Sequence, residues 1–208
     1  MRAQKFNTKK NAKMQLYLVR HGATELNEKE VYQGWTDAAL SVTGKRQCEL
    51  LRQKLRGVCF DAVVSSPLQR AVSSAQLICD VARDQIVICE AFKEIYFGRW
   101  EGLSYQEAER QYPREWRAWC ADWQGYSPPQ GECFTGFYER VRRGWEELTP
   151  LYSGKAVLIV SHAGVLRVIA GLLLKLSPAD YWRLSFEFGC YSRFEFNQGI
   201  PVLRKLNC

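Results

Sequence analysis

Two histidines occur in this chain, and each stands at the end of a short apolar run. His21 follows residues 16–20, and His162 follows residues 157–161. A short β-branched run that stops at a polar residue and a glycine predicts a buried parallel strand entering a loop. Ligands of an open α/β sheet bind beyond the carboxyl ends of its strands. If both strands are parallel members of one sheet, both imidazoles belong to one site.

Arginines accompany this histidine pair. Arg20 precedes His21, and Arg70 falls in the first turn of a predicted helix whose N-terminus faces the same sheet edge. Guanidinium groups match phosphate oxygens, and the backbone amides of a helix starting near Ala163 add donors. A neutral imidazole can attack phosphorus when its other ring nitrogen is held as a donor. The set indicates a phosphate pocket, with Glu94 placed beyond the third predicted strand to protonate the leaving alkoxide.

Zinc chemistry is the alternative for a histidine pair. It requires three or four ligands at characteristic spacing, and His21, His162 and Glu94 come with no sequence signature of the residues that would orient such ligands. We therefore expect no metal ion and no cofactor. Taken singly, Arg70 and Glu94 also fit solvated surface positions, so only their combination with the histidines favours catalysis.

The charge of the chain is concentrated at its N-terminus. The net charge is +7, and residues 1–13 contain five basic residues and no acidic one, which leaves +2 for the rest. We expect a basic N-terminal extension over residues 1–13 and a single domain over residues 14–208. Basic arms can bind nucleic acid, but Phe6 is the only aromatic residue here, which favours a solvated extension. Met14 is an alternative start of the chain.

Composition indicates the broad class of protein. A chain of 208 residues that is 47% hydrophobic can bury a single-domain core. We expect no membrane partner, because no apolar run is long enough to span a bilayer, and residues 1–14 lack the apolar stretch of a secretory signal. The eight cysteines form no C-x-x-C pair, which favours core thiols in a cytoplasmic protein.

Strands and helices alternate along most of the chain. Short apolar runs predict strands ending at His21, over 62–65, over 86–89 and over 157–161, and a closing strand pair over 190–196 and 202–206 with a turn at 197–199. One helix is predicted to begin at a cap, Ser41 or Thr43, with apolar positions at Leu50, Leu51 and Leu55. A second has Ser66 as N-cap and Pro67 as its first helical residue, and it runs to about Val81. A third covers residues 165–174. This order predicts an α/β fold of three αβα layers around a mostly parallel sheet.

Residues 95–150 interrupt the alternation. They contain five of the seven tryptophans, namely Trp100, Trp116, Trp119, Trp123 and Trp145. We expect a helical insertion over the site that acts as a lid. Trp116, Trp119 and Trp123 recur at the spacing of one helical face, which favours core packing over stacking on a substrate base, with both left open.

Four blocks of this sequence, in the same order, resemble those of the histidine phosphatase superfamily, the phosphoglycerate-mutase-like proteins. The blocks are residues 20–27, residues 65–71, Glu94 and residues 161–165. The resemblance implies that His21 becomes phosphorylated, that Glu94 donates a proton, and that Arg20, Arg70 and His162 hold the phosphoryl group. It implies a further phosphate contact at Asn27. Ala23 stands where many members carry Glu, at a position that is not catalytic in the family.

Within the superfamily the chain is similar to the alpha-ribazole phosphatases of cobalamin nucleotide-loop assembly. The likeness is carried by residues 97–102, by the tryptophan-rich residues 116–123 and by residues 129–134, where Cys133 replaces a serine of many relatives. It implies a metal-independent phosphomonoesterase acting on alpha-ribazole 5′-phosphate. The candidate substrate-binding residues are Thr24, Asn27, Gln33, Gly34, Trp116, Trp119, Trp123, Glu132 and Ala163.

Two other functions remain open at this stage. Residues that hold a phosphate do not select the leaving group, so a sugar-phosphate phosphatase or a mutase could use the same site. Mutase-type members usually carry a longer insertion. A phosphate- or nucleic-acid-binding protein without catalysis is the third interpretation, and the complete set of His21, Glu94 and His162 argues against it. Asn27 and Gln33 also fit ordinary turn positions. No feature of the sequence sets an oligomeric state.

Overall fold

A computed structural model describes residues 14–208, which form three layers around a six-stranded sheet. The strands are β1 (Gln15–Arg20), β2 (Ala62–Ser65), β3 (Val87–Ile88), β4 (Ala156–Ser161), β5 (Tyr191–Asn197) and β6 (Ile200–Lys205). Their order across the sheet is β3-β2-β4-β1-β5-β6. The first four are mutually parallel, and β5 runs antiparallel to both of its neighbours, β1 and β6. The predicted mostly parallel sheet is confirmed.

The register of the two central strands places the histidines side by side. Arg20 at the end of β1 pairs with Ser161 at the end of β4. The next residues in the chain, His21 and His162, therefore leave the sheet at the same level. Both strands are buried on both faces, which explains their unbroken apolar sequences.

Seven α-helices flank the sheet or connect its strands within the described residues. They are α1 (Glu25–Glu28), α2 (Val42–Lys54), α3 (Gln69–Cys79), α4 (Tyr105–Gln111), α5 (Pro113–Ala121), α6 (Phe134–Leu148) and α7 (Ala163–Leu174). Helices α6 and α7 pack on the sheet face that presents Leu16 and Ile159. Helices α2 and α3 cover the opposite face, which presents Val19 and Leu158. The alternation of side chains along each strand thus supplies two separate cores, one for each helical layer.

The start of α3 differs from the sequence prediction. Ser66 is not the N-cap and Pro67 is not the first helical residue, because the helix begins at Gln69 after an extended Leu68. The Ser66 hydroxyl instead lies 2.8 Å from a ring nitrogen of His162. The helix also stops earlier than Val81, at Cys79, because Asp80 adopts the left-handed conformation.

The other predicted boundaries need smaller corrections. Ser41 caps α2 as expected, but Leu50 is exposed while Leu51 and Leu55 are buried. Strand β3 is reduced to two exposed residues at the sheet edge, so the run over 86–89 was predicted too long. The loop after β1 contains the short helix α1, which the sequence pattern did not reveal. The final hairpin is confirmed, with positive φ at Gln198 and Gly199 as a tight two-residue turn requires.

Residues 95–150 divide into two structural parts. Helix α6 packs into the main core through buried residues such as Phe137 and Val141, so it belongs to the sheet-covering layer. The segment from 95 to 133, which contains α4 and α5, lies outside that layer. The prediction that three tryptophans share one helical face is wrong, because α5 ends at Ala121, before Trp123.

The predicted basic extension, residues 1–13, lies outside the described residues. Within the described part of the chain, no helix has the length and apolar character needed to cross a bilayer.

Candidate active site

The His21 imidazole is fixed in one tautomer. Its Nδ1 lies 2.7 Å from the Gly22 carbonyl oxygen, which can only accept, so Nδ1–H is the donor. The Gly22 amide in turn donates to the Ser74 hydroxyl at 3.0 Å. Nε2 then carries the lone pair, and it accepts from Arg70 Nε at 3.3 Å. Burial, together with the nearby Arg70 charge, lowers the pKa of His21 well below its usual range, so the ring is neutral at physiological pH.

His162 lies against His21 at the start of α7. The two ring centroids are 5.0 Å apart and the rings meet edge to face. Its Nε2 is 2.8 Å from the Ser66 hydroxyl, while its Nδ1 is buried without a hydrogen-bond partner. Burial and the Arg70 charge lower the pKa of His162 as well. A buried ring nitrogen without a partner indicates a site that a ligand would complete.

Two arginines, the buried Arg70 and the half-buried Arg20, supply the positive charge. Arg20 donates to the Phe186 carbonyl at 2.8 Å and lies 3.4 Å above the centre of the Phe188 ring, with its Nε buried and without a partner. Arg70 donates to the Gly34 and Thr36 carbonyls at 2.6 and 2.9 Å.

Burial lowers the pKa of both Arg20 and Arg70 to about 10, which still leaves both guanidinium groups charged at neutral pH. Desolvated cations beside neutral imidazoles favour a bound anion.

The Glu94 carboxylate lies at the N-terminus of α7. It accepts from the Gly164 amide at 3.1 Å and from the Ile95 amide at 3.0 Å. A side chain at position 164 would collide with this carboxylate and with the Tyr181 hydroxyl, so Gly164 is required for the close approach. Its negative charge raises the pKa of both Arg20 and Arg70 against the lowering effect of burial.

Two side chains that sequence reasoning missed hold the backbone of Glu94. Arg140 donates to the carbonyls of Ala91 and Lys93 at 2.8 and 3.1 Å, and more weakly to that of Glu94. The Trp35 indole N–H donates to the Glu94 carbonyl at 2.8 Å. Arg140 is one of three arginines on α6, and no local pattern distinguishes it from Arg142 and Arg143.

Glu132 forms an ion pair with Arg140 at 2.8 Å and accepts weakly from the Tyr96 amide. The structure therefore places this predicted substrate-binding carboxylate behind Glu94, where it orients Arg140.

The loop after His21 brings several predicted contacts near the pocket. Thr24 caps α1, and its hydroxyl lies 2.7 Å from the Gln33 amide oxygen. The Asn27 side-chain oxygen accepts from the Thr24 amide at 3.1 Å, which leaves the Asn27 amide nitrogen unused by this cap. Gly34 contributes its carbonyl to Arg70, and Ala163 is the first residue of α7. Thr24, Asn27 and Gln33 thus shape the loop through turn and cap contacts.

The predicted tryptophans separate into two clusters. Trp116 and Trp119 pack around the fully buried Trp100, with ring centroids 5.3 and 5.8 Å from it. Trp123 instead packs against Tyr181 and Trp182, at 5.9 and 5.7 Å. The second cluster adjoins Glu94 because the Tyr181 hydroxyl lies over Gly164.

The arrangement contains a neutral nucleophilic imidazole, two cations, a second imidazole and one carboxylate. Over residues 14–208, no three His, Cys, Asp or Glu side chains gather as a metal site would require. The geometry suits transfer of a phosphoryl group to His21 Nε2, with Glu94 as the group that exchanges a proton.

Comparisons with known proteins agree with this geometry. The family model for the histidine phosphatase superfamily (branch 1) matches residues 16–208. The chain belongs to this superfamily. It is 34% identical over 194 residues to the adenosylcobalamin/alpha-ribazole phosphatase of Escherichia coli K12, covering 93% of this chain and 96% of that protein.

It is also 30% identical to phosphoserine phosphatase 1 of Hydrogenobacter thermophilus, covering 93% and 92% of the two chains. Among solved structures, the alpha-ribazole phosphatase of Shigella flexneri superposes with a TM-score of 0.88 at 34% identity, covering 94% of this chain and 96% of that one. The resemblance stated from four sequence blocks is therefore confirmed.

Proposed function

We propose that this protein is a metal-independent phosphomonoesterase that works through a phosphohistidine at His21. The observation that carries the proposal is the fixed tautomer of His21. Its Nδ1–H is committed to the Gly22 carbonyl, so the Nε2 lone pair points to the arginine-lined pocket. A neutral imidazole prepared in this way needs no general base to become a nucleophile.

The reaction takes two steps. In the first, Nε2 of His21 bonds to phosphorus while the ester P–O bond breaks, and Glu94 gives a proton to the departing oxygen. In the second, water attacks the phosphohistidine, Glu94 takes its proton, and the N–P bond breaks to release phosphate. Arg20, Arg70 and His162 hold the phosphoryl oxygens in both steps, which fits their unsatisfied or partly used N–H groups.

We propose alpha-ribazole 5′-phosphate as the substrate and alpha-ribazole as the product, as in cobalamin nucleotide-loop assembly. The relatives named alpha-ribazole phosphatase cover almost the whole chain. Aromatic surfaces flank Glu94 on two sides, and such surfaces suit a leaving group that carries a planar base. On one side Trp35 packs on Tyr96 at 5.0 Å, and on the other Trp123, Tyr181 and Trp182 pack together.

Hydrolysis of a small phosphorylated metabolite such as phosphoserine is the second candidate. The observation that favours it is the similarity to phosphoserine phosphatase 1 of Hydrogenobacter thermophilus over 93% of the chain. A panel of monoesters that includes alpha-ribazole phosphate, phosphoserine and p-nitrophenyl phosphate separates the two. The highest kcat/KM on phosphoserine would contradict the main proposal.

Single tryptophan variants test whether aromatic stacking selects the substrate. Trp182 is 57% exposed, and replacing it or Trp123 by leucine removes stacking surface beside Glu94. We expect about a tenfold loss of kcat/KM on alpha-ribazole phosphate and little change on p-nitrophenyl phosphate. Trp116→Leu is the matched control, because Trp116 packs around Trp100. Equal losses on both substrates would show that Trp123 and Trp182 serve packing only.

We also assign the protein to the cytoplasm. All eight cysteines are free thiols in the structure, as expected in a reducing compartment.

A further inference from the structure

The sequence motif Phe97-Gly98-Arg99-Trp100-Glu101-Gly102 contributes no residue to the reaction described above. We propose that its carboxylate, Glu101, is a positioning residue that fixes the turn holding Arg70 and thereby sets the geometry of the phosphate pocket. The proposal rests on the assignment of Arg70 as a phosphate-binding residue. Glu101 itself touches neither His21 nor Glu94 in any hydrogen bond of the structure.

Glu101 accepts from two successive backbone amides of the turn. Its Oε1 takes the Trp35 N–H at 2.6 Å, and its Oε2 takes the Thr36 N–H at 2.6 Å. The Thr36 hydroxyl donates to Oε2 as well. Hydrogen bonds to a carboxylate are among the stronger ones, and two of them on neighbouring residues fix the peptide planes between residues 34 and 36.

The carbonyls of the same turn hold Arg70. Arg70 donates one N–H to the Gly34 carbonyl at 2.6 Å and another to the Thr36 carbonyl at 2.9 Å. Residues 33–37 contain no helix or strand that would orient these carbonyls by itself. The Gly34 carbonyl shares a peptide plane with the Trp35 amide, so the Glu101 bond to that amide sets the direction of one Arg70 acceptor. The Thr36 carbonyl belongs to the next peptide plane, and Glu101 positions it by binding the amide and the hydroxyl of the same residue.

The turn is closely packed at Gly34. A Cβ at residue 34 would lie 2.6 Å from Glu101 Oε1 and would also collide with the Ile95 carbonyl, so glycine is required there. The adjacent Trp35 indole donates to the Glu94 carbonyl at 2.8 Å. One carboxylate outside the reacting set therefore aligns the turn that contacts both Arg70 and the backbone of Glu94.

Electrostatics act in the same direction. The negative charges of Glu94, Asp37 and Glu101 raise the pKa of Arg70 against the effect of burial. Asp37 caps the start of α3 by accepting from the Gln69 amide at 2.8 Å. Glu101 differs from Asp37 because it also determines the orientation of the Arg70 acceptors.

The test compares Glu101→Gln with Glu107→Gln in the full chain. Glu107 is the matched control, because it also accepts from a backbone amide and a hydroxyl, both of Ser104 at 2.8 Å, but its loop holds no catalytic group. Glutamine keeps the size of each side chain and removes the charge. We expect Glu101→Gln to weaken binding of inorganic phosphate, and kcat/KM on p-nitrophenyl phosphate, by about 10- to 100-fold. Glu107→Gln should change phosphate binding and kcat/KM by less than about twofold. It should lower Tm about as much as Glu101→Gln does.

A double-variant cycle distinguishes positioning from a general structural effect. If Glu101 acts through Arg70, the change Glu101→Gln costs little more in an Arg70→Lys background, where the two guanidinium contacts to the turn are already lost. Fully additive losses in phosphate affinity would overturn the proposal. Phosphate binding within twofold of the wild type in Glu101→Gln would overturn it as well.

If Glu101→Gln does not fold, Glu101→Asp replaces it in the same cycle. Aspartate keeps the charge but withdraws it by one methylene, so we expect a smaller loss, and wild-type affinity would contradict the proposal. Binding is measured without turnover. A wild-type chain that binds phosphate but hydrolyses no monoester contradicts the proposed function alone, and a chain that binds no phosphate overturns both.

Discussion

The two buried histidines predict a specific loss of stability in mild acid. Each imidazole has a folded-state pKa well below the ordinary 6.5, because burial and the Arg70 charge disfavour the imidazolium form. The unfolded chain therefore binds more protons than the folded chain as pH falls below about 6.5. The stability that these groups contribute is present above that pH and is lost below it.

The magnitude follows from proton linkage. Between pH 7.5 and 5.5, each histidine of the unfolded chain takes up most of one proton that the folded chain does not. This costs about 1.4 kcal/mol for each imidazole, or about 3 kcal/mol for the pair. The loss is a large fraction of the free energy of unfolding of a typical domain.

The double variant His21→Gln/His162→Gln isolates this effect, because the chain has only two histidines. Urea unfolding of the wild type and the double variant is measured at both pH values. A phosphate-free buffer is needed, because a bound anion would stabilise the folded state by mass action. Carboxylates titrate alike in both proteins, so the difference in pH dependence belongs to the histidines. If the two proteins lose the same stability from pH 7.5 to 5.5, the pair does not remain neutral in the folded state.

Three further predictions concern the reaction and the chain ends. His21→Ala should abolish turnover while the protein stays folded, and acid-labile phosphate from a labelled substrate should be trapped on His21 in the wild type; normal turnover in the variant would refute the phosphohistidine. Activity should persist in excess chelator without added magnesium, and a loss that a divalent ion restores would contradict metal-independent chemistry. A chain that begins at Met14 should keep its Tm and kcat, since residues 1–13 carry five basic residues and no apolar pattern; a drop of several degrees would show that they pack on the domain.

Much of the fold, and the sheet edge where the side chains proposed to react lie, could be predicted from local sequence. The runs before His21 and His162 are apolar along their whole length, because both form central strands that are buried on both faces. Parallel strands end at the same edge, so two strand ends predict one site. Arg70 was placed correctly because even a helix start displaced from Ser66 to Gln69 leaves it in the first turn.

Other features depend on contacts between residues far apart in the chain, which local patterns do not encode. The spacing of Trp116, Trp119 and Trp123 suggests one helical face, yet α5 ends before Trp123, which packs instead on Tyr181 from a distant segment. Ser66 has the sequence pattern of a helix cap, but its hydroxyl lies against His162, nearly a hundred residues away.

The sequence by itself determined the layers and the sheet edge at which the side chains proposed to react lie, because both follow from the periodicity and the ends of local elements. Only the tertiary structure determined which other residues hold those side chains in position. Arg140 and Glu101 act on backbone carbonyls and amides of distant loops, namely those around Glu94 and Trp35. Such partners are chosen by how the loops pack together in three dimensions, and a charged residue on a helix or in a turn carries no local sign of that choice.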